Sequence, residues 1–236
     1  MSTIAWHAWE IVEGLAIPKF VTREIAVLLI LAASLLVFRT LRQRCLMIWM
    51  VGWLAYFGSH HGQISASGHP NFYTTPISQA EFVLAVALFT AGAFVYASAT
   101  KYLLPLTIVS LGLITFALMQ GIYWPSSVTM RFALEISYRV LAVAAAGQVL
   151  RFRRARKEIG SWLLATGLLL LHLDWPPLSS HLPADAGVLF DMLLGLGMLL
   201  VVFDESRIQT RRLATLNALT TSIARAGEHG PCPRRL

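Results

Sequence analysis

The chain has 236 residues, of which 56% are apolar and only 13% charged, with a formal net charge of +7. A water-soluble domain of this size carries about a quarter charged residues, so an ordinary globular core is excluded, and apolar runs long enough to cross a bilayer recur along the chain. The positive balance raises nucleic acid as a partner, but the charges are placed as membrane topology places them, and no nucleic-acid partner is expected.

The first residues, "MSTIAWHAWEIVEG", have no basic leading region and carry two acids, so they are not a secretory signal. Residues 1–19 are expected to form an extracytoplasmic segment. Its mixture of aromatic and acidic residues suits a helix lying in the membrane interface. Seven spans come next in the chain: Phe20–Phe38, Cys45–Ile64, Gln79–Ala99, Tyr102–Trp124, Val128–Leu150, Ile159–Trp175 and Ala186–Phe203. Together, residues 20–204 are read as a seven-transmembrane-helix bundle, an all-α integral membrane protein in contact with membrane lipid.

With the N-terminus outside and the C-terminus in the cytoplasm, fifteen of the nineteen basic residues fall on the inner side. They are Arg39, Arg42 and Arg44; Lys101; Arg151, Arg153, Arg154, Arg156 and Lys157; and Arg207, Arg211, Arg212, Arg225, Arg234 and Arg235. That one-sidedness is what the positive-inside rule requires, and the opposite orientation would put "RFRRARK" outside. Trp124 and Trp175 mark the outer interface and Trp162 the inner one.

Charges inside spans are expensive and each needs a reason. In the fifth span, Arg131, Glu135 and Arg139 stand at i, i+4 and i+8 and share one helix face. Asp191, early in the seventh span, is a candidate second partner for Arg139, and Glu81 sits at the outer edge of the third. Two readings stay open. Arg131, Glu135, Arg139 and Asp191 line a cavity that receives an anionic or polar ligand and switches the bundle, or they form a structural network that fixes helix register.

His7, His60, His61, His69, His172 and His181 gather on or near the outer side with Asp174 and Asp185. Imidazole with carboxylate suits transition metals and also titrates near neutrality, but the spacing matches no compact ligand motif. Whether a metal binds there is left open, and no cofactor is expected. The run "WMVGWLAYFG", with Trp49, Trp53, Tyr56 and Phe57 at helical spacing, reads first as helix packing and second as an apolar pocket. Retinal chemistry needs a lysine within the membrane, whereas Lys19, Lys101 and Lys157 all lie at span ends or in loops. His172 is the sole candidate haem ligand near a span interior, and neither GxSxG nor HExxH occurs. No enzymatic activity is expected of the chain itself.

After Phe203 the sequence becomes "DESRIQTRRLATLNALTTSIARA", with Leu213, Leu216, Thr220 and Ile223 at 3-4-3 spacing and Leu219 alongside. Residues 205–227 are therefore read as a cytoplasmic amphipathic helix whose seam suits a parallel homodimer. The alternative is a basic juxtamembrane helix lying on anionic lipid. Residues 228–236 form a tail read as disordered. The exit "VVFDESRIQTRRLATLNALTTSIARAG" behind a multi-span region resembles the N-terminal seven-transmembrane sensor region of bacterial membrane histidine kinases and diguanylate cyclases.

The resemblance implies a sensory input region in the bacterial inner membrane, passing a stimulus through the seventh helix to a cytoplasmic output domain. The chain departs from the full-length pattern in having no phospho-acceptor helix, no ATP-binding glycine boxes and no GGDEF. "GEHGPCPRRL" is then expected to be a truncated or frameshifted edge. The competing expectations are a small permease or transporter subunit for an anionic or polar solute, with Arg139 in its path, and a structural subunit docking through the basic tail.

Overall fold

The computed structural model describes residues 19–65, 76–124, 127–153, 159–170 and 186–228. The described residues form seven α-helices and one 3₁₀ turn, with no strand. They are α1 (Lys19–Leu41), α2 (Arg44–Ser65), α3 (Pro76–Tyr96), α4 (Leu103–Tyr123), α5 (Val128–Arg153), α6 (Ile159–Leu170) and α7 (Ala186–Glu228). The expected interfacial segment, the loop histidines His69, His172 and His181, Trp175 and the C-terminal tail lie outside the described residues.

Five helices are long and apolar enough to cross a membrane: α1, α3, α4 with its 3₁₀ entrance, α5 and α7. The described residues are thus all-helical, with the build of a multi-pass membrane protein. α6 is apolar but has only 12 described residues, about 18 Å of helix against a hydrocarbon core of about 30 Å. α2 has the length, at 22 residues, but its last turns, "SHHGQIS", dilute its apolar character.

Cross-helix contacts fix the direction of every helix. Trp49 meets Phe89 and Gly58 meets Glu81, so α2 and α3 are antiparallel. Tyr56 meets Asp191 and Trp53 meets Met198, so α2 and α7 are antiparallel. Phe82 meets Tyr138 and Tyr96 meets Phe152, so α3 and α5 run parallel. Arg23 with Asp191, and Ile30 with Gly195, make α1 and α7 parallel neighbours. The helices therefore run up and down in sequence, the upper end being the one where α1, α3, α5 and α7 begin.

The core lies between α2, α3, α6 and α7. Trp49, Trp53, Tyr56, Phe89, Leu46, Leu164, Leu168, Leu194 and Met198 are its largest fully buried members. Both indoles find acceptors there: Trp49 Nε1 donates to the Phe89 carbonyl at 3.1 Å and Trp53 Nε1 to Met198 Sδ at 3.3 Å. This is what buried tryptophan needs, and it places Trp49, Trp53 and Tyr56 of the aromatic run in the core, with Phe57 half-buried beside them. α4 stands at the edge, packed mainly on α3, with Leu104, Ile108, Leu111 and Ile122 exposed. Apolar faces of this kind are at ease against lipid chains, which are as apolar as leucine.

α6 and α7 approach backbone to backbone. A Cβ at Gly167 would fall 2.6 Å from Leu194 Cα, and one at Gly197 would fall 2.4 Å from the Leu164 nitrogen. Small residues that let helices close up are the usual means of association where no hydrophobic drive separates helix from lipid. At the lower end of α3, Ser98 takes a left-handed conformation (φ 54°) and closes the helix. The Ala99 and Ser98 amides donate to the Phe94 and Val95 carbonyls at 2.8 and 3.1 Å, a Schellman ending.

Two stability changes are expected in thermal unfolding of the detergent-solubilised chain. Gly167→Leu must push α6 off α7 and should cost about 1–3 kcal/mol. Ser98→Gly removes the left-handed penalty and should stabilise by about 1 kcal/mol.

Candidate functional site

Asp191 occupies the second turn of α7 with a side chain 0% exposed. A carboxylate so placed is costly unless paired and hydrogen-bonded, and two other helices supply what it needs. Arg23, in the second turn of α1, donates from Nε to Oδ2 at 2.7 Å. The Tyr56 hydroxyl, from the upper half of α2, donates to Oδ1 at 2.8 Å. Arg23 also donates from Nη2 to the Tyr56 oxygen, and its guanidinium lies over the Tyr56 ring, 5.6 Å from the centroid.

Each member thus contacts the other two. Arginine suits the post because its planar fork presents donors to a carboxylate oxygen and a phenol together, and its face stacks on the ring. The result is a polar clamp tying the first, second and last helices at the upper end.

The Tyr56 ring is itself held on several sides. Trp53 packs edge-on at 5.5 Å, Phe82 at 6.1 Å and Phe89 at 6.3 Å between centroids. Two residues nearer the upper end, Gly58 lets α3 come close: a Cβ there would lie 3.3 Å from both carboxylate oxygens of Glu81.

The α5 residues singled out by spacing form a second group. Arg139 Nη2 donates to Glu135 Oε2 at 3.4 Å, a long i, i+4 contact with side chains 27% and 18% exposed. Arg131 is half-buried one turn above Glu135. The structure therefore gives Arg139 its neighbour Glu135 and gives Asp191 to Arg23. The four residues expected to form one polar core are divided between two places.

Tyr138, between Glu135 and Arg139 in sequence, packs edge-on against Phe82 at 5.2 Å. It also borders a small cluster of Val83, Ala117 and Leu134, contributed by α3, α4 and α5.

Below the bundle α7 continues without a break to Glu228, 43 residues in all. From Gln209 to Ala224 every side chain is exposed, including Leu213, Leu216, Thr220 and Ile223 of the expected seam. Thr210, Thr215, Thr220 and Thr221 turn their hydroxyls back onto carbonyls four residues earlier, at 2.8 to 3.0 Å. That occupies polar groups which would otherwise compete with the helix.

Among the described residues there is no group of three His, Cys, Asp or Glu side chains able to hold a metal. His60 and His61 lie on the last turns of α2, and their side chains are outside the described set. No protein-family model, curated protein or solved structure matches this chain.

Sequence reasoning passed over Arg23 and Tyr56. Arg23 reads as an interfacial residue at the edge of a short span, and Tyr56 as one of a run of packing aromatics. The signal available was depth: Arg23 and Asp191 each stand in the second turn of a helix that begins at the same end, and opposite charges at equal depth are natural partners.

Unfolding measurements rank the two pairs. Arg23→Ala strands a buried carboxylate and should cost about 3 kcal/mol or more, and Tyr56→Phe about 1–3 kcal/mol. Arg139→Ala should cost less than Arg23→Ala, because Glu135 is 18% exposed where Asp191 is fully buried and Arg131 stands one turn from Glu135. A ranking with Arg139→Ala costliest would remove the clamp from its central place.

Proposed function

We propose that this chain is the membrane input region of a bacterial signal-transduction protein. It acts as a sensor that hands a change in its bundle to a cytoplasmic output module, of the kind that follows in histidine kinases and diguanylate cyclases. The observation that carries the reading is the single uninterrupted α7. Its second turn is held in the clamp by Asp191, and its far end presents the uncovered Leu213–Ile223 seam. Forty-three residues of helix measure about 65 Å, roughly twice the hydrocarbon thickness.

A helix anchored at one end by a buried ion pair and free at the other is a lever. Loosening Asp191 lets α7 slide or rotate against α6 as a rigid body, the usual small motion of packed helices in switching proteins. The stimulus acts by favouring one of two arrangements of the upper end.

In this reading all seven helices are spans of the bacterial inner membrane, with the N-terminus outside. Two patterns support it. Every exposed Lys or Arg among the described side chains belongs to the lower half: Arg39, Arg42, Arg44, Lys101, Arg151, Arg207, Arg211 and Arg212. Exposed aromatics sit at both ends, Tyr123 and Trp124 above and Tyr102 and Trp162 below, as in an interfacial belt. The exposed seam pairs with that of a second copy in a parallel dimer. Such a short helix is marginal in water alone, and the bundle above it supplies the nucleus.

The test is a chimera joining the chain, after Ala226, to a dimeric kinase or cyclase output domain. Asp191→Asn and Arg23→Gln should each shift basal output several-fold when output is normalised to the amount of chimera in the membrane. Inserting one to four residues after Asp204 should change output with the period of the helix, about 3.6 residues. Output indifferent to both series would end this reading. Uptake of an anionic solute by the chain truncated at Asp204 would put a permease in its place.

A further inference from the structure

We propose that Phe82 couples the Glu135–Arg139 pair on α5 to the Asp191 clamp on α7, through the ring contacts Tyr138–Phe82–Tyr56. The inference rests on the sensor reading for its purpose, but its physical content concerns the bundle alone.

The contacts run without a gap across four helices. Tyr138 of α5 meets Phe82 of α3 edge-on at 5.2 Å, and Phe82 meets the Tyr56 ring of α2 at 6.1 Å. The Tyr56 hydroxyl then holds Asp191 of α7 at 2.8 Å. Two charged pairs on helices far apart in sequence are thereby joined through one phenylalanine.

The geometry at each end explains why a ring matters. Tyr138 lies three residues after Glu135 and one before Arg139. Any turn of α5 that opens or tightens that pair carries the Tyr138 ring with it. Tyr138 also packs on the Val83–Ala117–Leu134 cluster, which holds its ring on a second side.

At the other end Tyr56 is wedged between Trp53, Phe89 and the Arg23 guanidinium. Trp53 and Phe89 are fully buried, so they back the Tyr56 ring on the sides away from Phe82. A displacement of Phe82 is therefore passed to the Tyr56 ring and changes how its hydroxyl meets Asp191. Close-packed interiors transmit strain in this manner because they contain few voids to absorb it. The charged face of α5 becomes a place where a ligand or a change of charge is felt by α7 without touching it.

Spatial continuity alone does not establish coupling, and the test measures it directly. The full chain, carrying 3-fluorotyrosine at position 56, is reconstituted in nanodiscs and followed by fluorine NMR. Glu135→Gln should shift the position-56 resonance in the native background. Phe82→Ala should abolish that shift, while Arg23→Gln, which acts on Tyr56 by direct contact, still moves the signal. Should Phe82→Ala fail to fold, as judged by its thermal midpoint, Phe82→Leu keeps the apolar bulk without the ring edge and carries the same expectation.

A resonance unmoved by Glu135→Gln in the native background would overturn the proposal. So would an equal movement with and without Phe82. Neither outcome depends on an output domain, so coupling can fail while the chimera still signals, or hold while the chimera is silent.

Discussion

A carboxylate with no exposure, set in the second turn of the last helix, constrains the rest of this protein. In an apolar bundle its charge is tolerable only beside a positive partner and with its oxygens hydrogen-bonded. Arg23 and Tyr56 meet both needs, which obliges α1, α2 and α7 to converge at one end and to keep their relative depth. The close approach of α6 and α7 at Gly167 and Gly197 holds that pair by packing alone. The clamp adds directional bonds between α1, α2 and α7, and the remaining contacts supply cohesion.

The cohesion comes from two devices suited to lipid. Glycines at 167 and 197 bring the backbones of α6 and α7 together. Large aromatics of α2 fill the space against α3 and α7 while each indole retains an acceptor. Small residues and internally satisfied polar groups hold helices together where the solvent is itself apolar. α7 runs on through them without a break, the property on which the proposed lever depends. The charged stripe of α5 shares its helix with Tyr138, whose ring packs on Phe82, which in turn packs on Tyr56 of the clamp.

Much of the architecture is legible in the chain itself. Each described helix falls within or close to an apolar run: α4 at Leu103–Tyr123 and α5 at Val128–Arg153 begin within a residue of the expected spans. Apolar length and the punctuation of Pro, Gly and charged residues are local properties, so they can be read along the chain. Leu213, Leu216, Thr220 and Ile223 fall on one continuous helix for the same reason.

The site is half legible. Glu135 and Arg139 share a helix, so their contact comes from a separation of four residues. Asp191 is recognisable as a charge in need of a partner, but not as the partner of Arg23, which lies 168 residues away. Tyr56 and Phe82 look in sequence like any other core aromatics. By itself the sequence determined where the helices form, which faces are apolar, where the cations lie and that a charged stripe runs along α5. Only the tertiary structure decided that α1 and α7 are parallel neighbours, that Asp191 belongs to Arg23 and Tyr56, and that one phenylalanine touches both aromatic partners. The reason is physical: helix formation and apolar periodicity are set within a few turns, whereas the pairing of buried charges depends on which helices the packing brings side by side and at what depth.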